Sequence, residues 1–260
     1  MKIIVRILIW GIVMLSLNAC TVYYYSVLDT ENEDVIKNVD HDFVEENDSL
    51  LIAYCFYGEN APVKITVYNK SDVPLYVDWN SSALIIDDVA TNYDAGSGAG
   101  NEISFTPKEQ ETIPSAAQFV PPHSKIEHLS LRLGNFSFEE IPKKQFMRSK
   151  LVTLNGDERN VYVKQFNEYV SPVRFRSYLT LYRKEKESGK TVPFTKEHRF
   201  YVAEVIRAGG LSPENFLEGE RQQGDFFYVT REKGTGFAVA GVIALSVVGS
   251  VIAEETTISY

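Results

Sequence analysis

The chain has 260 residues, of which 44% are hydrophobic, 12% aromatic and 23% charged, and it contains only two cysteines. These proportions are close to those of ordinary globular proteins, and they exclude collagen-like, coiled-coil, disulfide-stapled and wholly disordered chains. The net charge is −9, and the sequence holds no dense run of lysine and arginine. Nucleic acid is therefore not an expected partner, because binding to phosphates needs a basic surface.

The first twenty residues have the pattern of a secretory signal peptide. Lys2 and Arg6 form a short basic start, and residues 7–17 are an apolar run without a charge. This arrangement predicts a signal peptide over residues 1–19. An uncleaved membrane anchor is the alternative, because residues 3–19 are close to the shortest stretch that crosses a bilayer.

Leu17, Asn18, Ala19 and Cys20 end this segment. They resemble the lipobox of bacterial lipoproteins, in which a signal peptidase recognises the tetrapeptide, cuts before the cysteine, and leaves a thiol that carries acyl chains. The resemblance implies lipidation of Cys20 and a mature net charge of −11, since two of the positive charges behind the total of −9 are removed. Membrane lipid is then a partner, because two or more acyl chains attach a protein stably.

Residues 20–48 are predicted to be a lipid-anchored acidic linker. Nine acidic residues and a single lysine, Lys37, lie between Asp29 and Asp48. Charges of one sign repel each other and favour a solvated chain. Asp48, Ser49 and Leu50 resemble the short O-glycosylation signal of Bacteroidota secreted proteins, which makes Ser49 a candidate glycosylation site.

Residues 49–209 are predicted to form one antiparallel β-sandwich domain. Residues 63–67 alternate between apolar and polar side chains, which is typical of a strand with one face in the core. Turn residues separate such runs at the spacing typical of a sandwich. The predicted strands are 50–57, 63–68, 75–79, 82–86, 118–120, 126–133, 173–183 and 198–207, and the last two form a long hairpin.

Two segments of this region carry a family resemblance. Residues 69–79 (NKSDVPLYVDW) and the later Pro-Pro-His-Ser at 121–124 resemble an immunoglobulin-like module of uncharacterised envelope lipoproteins of the Bacteroidota type. The resemblance implies an all-β, immunoglobulin-like sandwich, here with long inserted loops at 87–117 and 134–171. It also implies the outer membrane, facing the periplasm, because surface-exported members carry acids directly after the lipidated cysteine, whereas the first acid here is Asp29.

The C-terminal region contains a second hydrophobic segment. Residues 210–233 are predicted to be a connector, and residues 234–260 a hydrophobic helix and tail. Residues 236–253 carry no charge, and a helix of this length just crosses a hydrocarbon core of about 30 Å. The basic residues before it and the acidic residues after it oppose the positive-inside bias. Two interpretations stay open: membrane insertion, and packing on the protein or a partner.

No enzyme motif is evident. The four histidines lack zinc-ligand spacing, no G-x-S-x-G elbow is present, and no metal or cofactor is expected. Asp78 and Trp79 could serve a carbohydrate-active enzyme as carboxylate and sugar-stacking ring, but a strand aspartate and a core tryptophan are favoured. Cys55 lies in an apolar run and is predicted to be buried and unreactive.

The sequence therefore favours a non-catalytic binding or structural module that is tethered to the bacterial cell envelope, with an envelope protein or a glycan as partner. The two long loops are the first candidate binding regions. One alternative is a structural subunit of a membrane assembly that packs through residues 236–253. A carbohydrate-active enzyme is the less favoured alternative.

Overall fold

Strand follows strand through most of the chain, as the many aromatic and β-branched residues favour. The structure, a computed structural model, describes residues 21–94, 113–134, 136–153, 155–185, 189–216 and 223–231, and the backbone of residues 242–244. Its strands form two sheets that pack in a sandwich-like arrangement around one large apolar core. The prediction of an all-β sandwich is confirmed at this level.

The larger sheet has ten strands. In chain order they are β1 (Val22–Thr30), β5 (Gly58–Glu59), β7 (Leu75–Ile86), β8 (Val89–Asn92), β9 (Gln118–Val120), β11 (Met147–Val152), β12 (Glu158–Gln165), β13 (Arg174–Lys184), β14 (Thr191–Gly209) and β15 (Phe226–Arg231). Their main spatial order is β5-β15-β1-β14-β13-β7-β8. β9 pairs with β7, and the hairpin of β11 and β12 continues the sheet beside β14.

The smaller sheet has six strands. They are β2 (Ile36–Lys37), β3 (Phe43–Glu46), β4 (Leu50–Cys55), β6 (Pro62–Asn69), β10 (Ser124–Leu133) and β16 (Val242–Ala244), in the spatial order β16-β10-β6-β4-β3-β2. Every second residue of β6 is buried, as its sequence alternation predicts. Short helical turns complete the described chain, at Phe138–Glu140, Lys143–Gln145 and Pro213–Phe216.

Aromatic rings fill the space between the sheets. Phe200 packs against Phe43 and Phe56 at 5.1 Å between ring centroids and against Phe175 at 5.3 Å. The first two pairs are edge-to-face and the third is stacked, and both arrangements add to the free energy gained from burying the rings. The large apolar area that these side chains bury is typical of a chain of this length.

A second apolar cluster covers the outer face of the larger sheet. Tyr25 of β1 stacks on Phe216 at 3.9 Å between ring centroids. Its hydroxyl donates a hydrogen bond to the carbonyl of Leu211 at 2.6 Å. Val161 of β12 and Ile206 of β14 complete the cover. The first described strand is therefore buried on both faces.

The prediction of a solvated linker over residues 20–48 is wrong for residues 22–46. β1 lies in the middle of the larger sheet, between β14 and β15, and β3 belongs to the smaller sheet. The acidic side chains find cations from distant parts of the chain, such as Arg174 for Glu31 at 2.8 Å and Lys70 for Glu46 at 2.7 Å. The density of acidic residues in this segment therefore led to too high an expectation of repulsion between them, because it took no account of cations from the rest of the chain.

The predicted connector over residues 210–233 is also wrong for residues 226–231, because these residues form β15 and pair with the whole first half of β1. In the predicted loop 134–171, residues 147–152 and 158–165 form a hairpin. Of the predicted C-terminal helix, the structure describes residues 242–244, which form β16 beside the end of β10. No helix among the described residues is long and apolar enough to cross a membrane.

Candidate functional site

Neighbouring residues of β13 and β14 build two polar clusters on opposite faces of the larger sheet. Ser177 lies directly opposite His198, and Arg176 lies opposite Arg199. Side chains alternate between the two faces along a strand. Ser177 and His198 are therefore in the core, at 0% and 1% exposure, while the two arginines lie on the outer face. We name the clusters the core network and the arginine pocket.

The core network joins the two sheets through side-chain contacts. The hydroxyl oxygen of Tyr54 lies 3.0 Å from Ser177 Oγ and 3.0 Å from His198 Nδ1. The hydroxyl of Tyr93 donates to Ser177 Oγ at 2.8 Å. On the other side of the imidazole, Nε2 lies 2.7 Å from Glu45 Oε2. Four strands and the residue that follows β8 are thus connected.

Lys196 is the last member of the network and the most exposed to solvent. Its ammonium group donates a hydrogen bond to the second oxygen of Glu45. Burial lowers the pKa of His198, although the carboxylate of Glu45 acts in the opposite direction. A neutral imidazole is fully bonded when Ser177 donates to Tyr54, Tyr54 donates to Nδ1, and Nε2–H donates to Glu45. The network then leaves no polar group unpaired, which avoids the cost of desolvation.

Burial also limits what the core network can do chemically. Tyr54 and Tyr93 expose 1% and 0% of their surface, as little as Ser177 and His198, so a substrate in solution cannot contact them. Burial raises the pKa of both tyrosines, which keeps their hydroxyl groups protonated. The arrangement acts as a hydrogen-bonded link between the sheets.

The arginine pocket is a cavity of about 380 Å³ on the outer face of the larger sheet. Its volume suits a small organic ligand. Its lining residues are three arginines, three acids and two apolar residues: Arg174, Arg176, Arg199, Glu31, Asp87, Asp88, Ile85 and Phe175. The ring of Phe175 itself points into the core, against Phe200.

Carboxylates hold the arginines of this pocket in place. Arg174 donates from Nε at 3.1 Å and from Nη2 at 2.8 Å to one oxygen of Glu31. Glu197 accepts bonds from Arg199 Nε at 2.8 Å and from Arg176 Nη1 at 3.2 Å. Although partial burial of Glu197 acts against it, these two arginines lower the pKa of its carboxyl group. A guanidinium has five N–H donors, so each of these contacts uses only part of the set.

Glu197 has a second effect, which follows from the register of the strands. Arg176 and Arg199 are direct cross-strand partners, and like charges in this position repel each other. The shared carboxylate offsets that repulsion. It therefore keeps two positive groups side by side at the lining of one cavity.

Asp87 and Asp88 reach the pocket from the two-residue turn between β7 and β8. Their φ angles are 49° and 62°, and Ile86 and Val89 pair on either side of them. Two left-handed residues in succession are typical of a type I′ hairpin turn, which aspartate tolerates better than most residues. The turn therefore places two carboxylates in the lining.

Asp78 and Trp79 serve the fold. Trp79 is 5% exposed, stacks on the His128 ring at 4.0 Å between centroids, and donates from Nε1 to Gln118 at 2.7 Å. Asp78 accepts a bond from the backbone N–H of Asn80 at 3.1 Å, within a bulge of β7. The favoured interpretation is confirmed, since the buried indole offers no face to a sugar.

Cys55 is half-buried, and burial together with the neighbouring Asp42 raises its thiol pKa to about 11. The thiol is therefore protonated at neutral pH and a poor nucleophile. Ser49 lies in the turn between β3 and β4, where its hydroxyl donates to Asn47 Oδ1 at 3.1 Å. It also lines a second cavity of about 260 Å³. Glycosylation of Ser49 stays a prediction.

Leu17, Asn18, Ala19 and Cys20 lie outside the described residues, and so does most of the segment 236–253. In the part of the chain that the structure describes, no group of three or more histidine, cysteine, aspartate or glutamate side chains is arranged to hold a metal ion. No protein-family model, curated protein or solved structure matches the chain.

The arginine pocket was missed in the sequence, although part of the signal was present. Arg174 and Arg176 occupy alternate positions of a predicted strand, so these two belong on one face. Arg199 lies in the predicted partner strand, but only the register in the structure puts it on the same face. Nothing in the sequence brings Glu31 or Asp87 to them. Of the predicted binding loop 87–117, the described part contributes Asp87 and Asp88.

Proposed function

We propose that the protein is a lipid-tethered, non-catalytic binding module with an immunoglobulin-like sandwich, held at the outer membrane of a bacterial envelope and facing the periplasm. Its ligand is an anionic glycan, bound in the arginine pocket. The observation that carries the proposal is the convergence of Arg174, Arg176 and Arg199 on one cavity. Guanidinium groups bind carboxylates and phosphates through paired hydrogen bonds.

The mixed lining favours a glycan over a bare anion. The carboxylates of Glu31, Asp87 and Asp88 accept hydrogen bonds, and hydroxyl groups of a sugar donate them. A free phosphate would be repelled by three acids in the same cavity. A hexuronate has both a carboxylate for the arginines and hydroxyls for the acids, so it matches both parts of the lining.

The position of the pocket fits a tethered module. Lipidated Cys20 would lie two residues before Val22, where β1 starts, and Glu31 of the pocket directly follows Thr30, where β1 ends. Eight steps of about 3.3 Å along a strand separate the two ends by about 26 Å. A bilayer at the N-terminal end would leave the pocket open to the periplasm.

The C-terminal segment supports contact at the same end. Arg231, the last residue of β15, pairs with Val22, so the apolar residues 236–253 begin within a few residues of the tethered end. We include this segment in the proposal as a second contact with the membrane or with a partner. A helix belongs to that part of the proposal only beyond residue 244, because residues 242–244 form β16.

Calorimetric titration of the purified protein with oligosaccharides of galacturonic acid tests the function. We expect binding, and Arg176→Ala should weaken it at least about tenfold, because one good charge-assisted contact is worth about 1.5–3 kcal/mol. Arg183→Ala is the matched control on the same strand, outside the arginine pocket. Equal binding of neutral oligosaccharides, or equal loss in both variants, would contradict the proposal.

A further inference from the structure

The hairpin of β11 and β12 differs in charge from the rest of the chain. Between residues 141 and 166 the sequence holds six basic and two acidic residues, in a chain whose net charge is −9. The turn between β7 and β8 carries Asp87 and Asp88 instead. The protein is thus strongly asymmetric in charge.

One face of this hairpin combines cations with exposed apolar groups. Residues opposite each other in the ladder share a face, which puts Arg148 beside Tyr162, and Lys150 and Val152 follow Arg148 at alternate positions. The one acid on this face is Glu158, opposite Val152, which forms an ion pair with Lys150. Val152 is 66% exposed and Tyr162 is 41% exposed. The guanidinium of Arg207 lies over the Tyr162 ring at 5.9 Å. We name this surface the basic hairpin face.

Register places this face at the tethered end of the larger sheet. Tyr162 pairs with Arg207 of β14, and Val22 pairs with Gly209, two residues further along. From Tyr162, β12 runs back to Glu158, which pairs with Val152. The end of the hairpin therefore lies at the same end of the larger sheet as Thr21, the residue bonded to Cys20.

Protection of an exposed sheet edge does not account for the whole of this face. Charged side chains, lysine above all, prevent edge-to-edge pairing, but they do not explain the valine and the tyrosine that are exposed beside them. An excess of cations with exposed valine and tyrosine is instead the composition of surfaces that lie on anionic bilayers. Charge complementarity therefore identifies the occupant.

We propose that the basic hairpin face rests on the anionic headgroups of the membrane that holds the lipid anchor, which orients the arginine pocket away from the bilayer. The inference rests on the proposed tether at Cys20. Acyl chains alone would leave the sandwich free to tilt. A second, electrostatic contact at Arg148 and Lys150 fixes one orientation, because two signals together bind a membrane more stably than one.

The test uses the full lipidated chain in phosphatidylcholine vesicles with and without about 30% phosphatidylglycerol. An environment-sensitive dye is attached to Val152→Cys, or to Val89→Cys as the matched control. Both valines are 66% exposed, and Val89 pairs with Ile86, which is level with Phe200 in the middle of β14 and therefore well away from Gly209 at the tethered end. Cys55 reacts slowly, since its thiol pKa is raised to about 11. Nitroxide-labelled headgroups quench the dye on contact.

We expect several-fold stronger quenching at position 152 than at position 89 in the anionic vesicles. The difference should disappear in Arg148→Glu/Lys150→Glu and in about 0.5 M salt, where charges act over only a few ångströms. Chains that float with the vesicles but show equal quenching at both positions would overturn the inference and leave the tether intact. If Cys20→Ser floats as well as the unaltered chain while position 152 stays quenched, the tether is wrong and the hairpin contact stands. If nothing floats, both are wrong.

Discussion

The core network and the arginine pocket lie one residue apart on the same two strands. Ser177 and His198 face inward, and Arg176 and Arg199 face outward. The inner pair is closed into hydrogen bonds with Tyr54 and Glu45 and has no access to solvent. The outer pair borders a cavity. A single step along a strand therefore separates a structural polar cluster from a binding surface.

The comparison shows that polar chemistry alone does not identify a functional site. A serine, a histidine and a carboxylate close together suggest a nucleophile and its base, yet here Tyr54 lies between the serine and the histidine, and the whole group is buried in the core. The outer arginines form simple ion pairs, which on surfaces contribute little to stability. Their remaining N–H donors are available to a ligand in the cavity. Substitutions in the core network should therefore lower the free energy of unfolding. Substitutions in the arginine pocket should instead change ligand binding or the dependence of stability on salt.

The largest effect on stability is expected from Tyr54→Phe. Loss of this hydroxyl leaves His198 Nδ1 and the hydroxyl hydrogen of Ser177 unpaired in the core, while Tyr93 stays bonded to Ser177 Oγ and Glu45 to His198 Nε2. Each unpaired buried group costs about 1–3 kcal/mol, so the free energy of unfolding should fall by about 2 kcal/mol or more. Urea unfolding measures it. Tyr201→Phe on β14, whose hydroxyl makes only a 3.5 Å contact with Asp29, should change it by less than about 0.5 kcal/mol.

A smaller effect is expected from pH. Burial lowers the pKa of His198, and likewise that of His128 beneath Trp79, below the ordinary value of 6.5. The unfolded chain therefore takes up protons first as the pH falls through about 6.5, and acidification favours it. The free energy of unfolding should be fully retained above that pH and should be lower at about pH 5.5 than at about pH 7.5. A constant or rising value on acidification would mean that His198 is charged in the fold.

The smallest effect on stability is expected on the outer face, from Glu197→Gln. The variant removes the charge between Arg176 and Arg199 and leaves their repulsion unopposed. The loss should stay below about 1 kcal/mol, because the side chains are partly exposed. It should shrink further in high salt, which screens exposed charges. Urea unfolding at two salt concentrations checks this. If the free energy of unfolding fell as much as in Tyr54→Phe, or if salt did not change the loss, the expected difference between the core network and the outer face would be contradicted.

Several strands were predictable because their patterns are local. The alternation of residues 63–67 predicted β6, and the alternation from Arg174 onward predicted β13 and its hairpin with β14. That alternation even places Arg174 and Arg176 on one face. It does not say which face is buried, since Ser177 and His198 read as polar residues that could equally have faced water. The lipidation of Cys20 stays a prediction.

The sequence by itself determined the periodicity of the strands, and with it the all-β class of the fold. Only the tertiary structure decided the fate of residues 22–46, whose acids are paired with Arg174, Lys70 and Lys196 from distant strands. It also decided that Glu31 and Asp87 meet three arginines at one cavity. The physical reason is the range of the interactions. Alternation depends on neighbours in sequence, whereas charge neutralisation and pocket formation depend on which strands become neighbours in space.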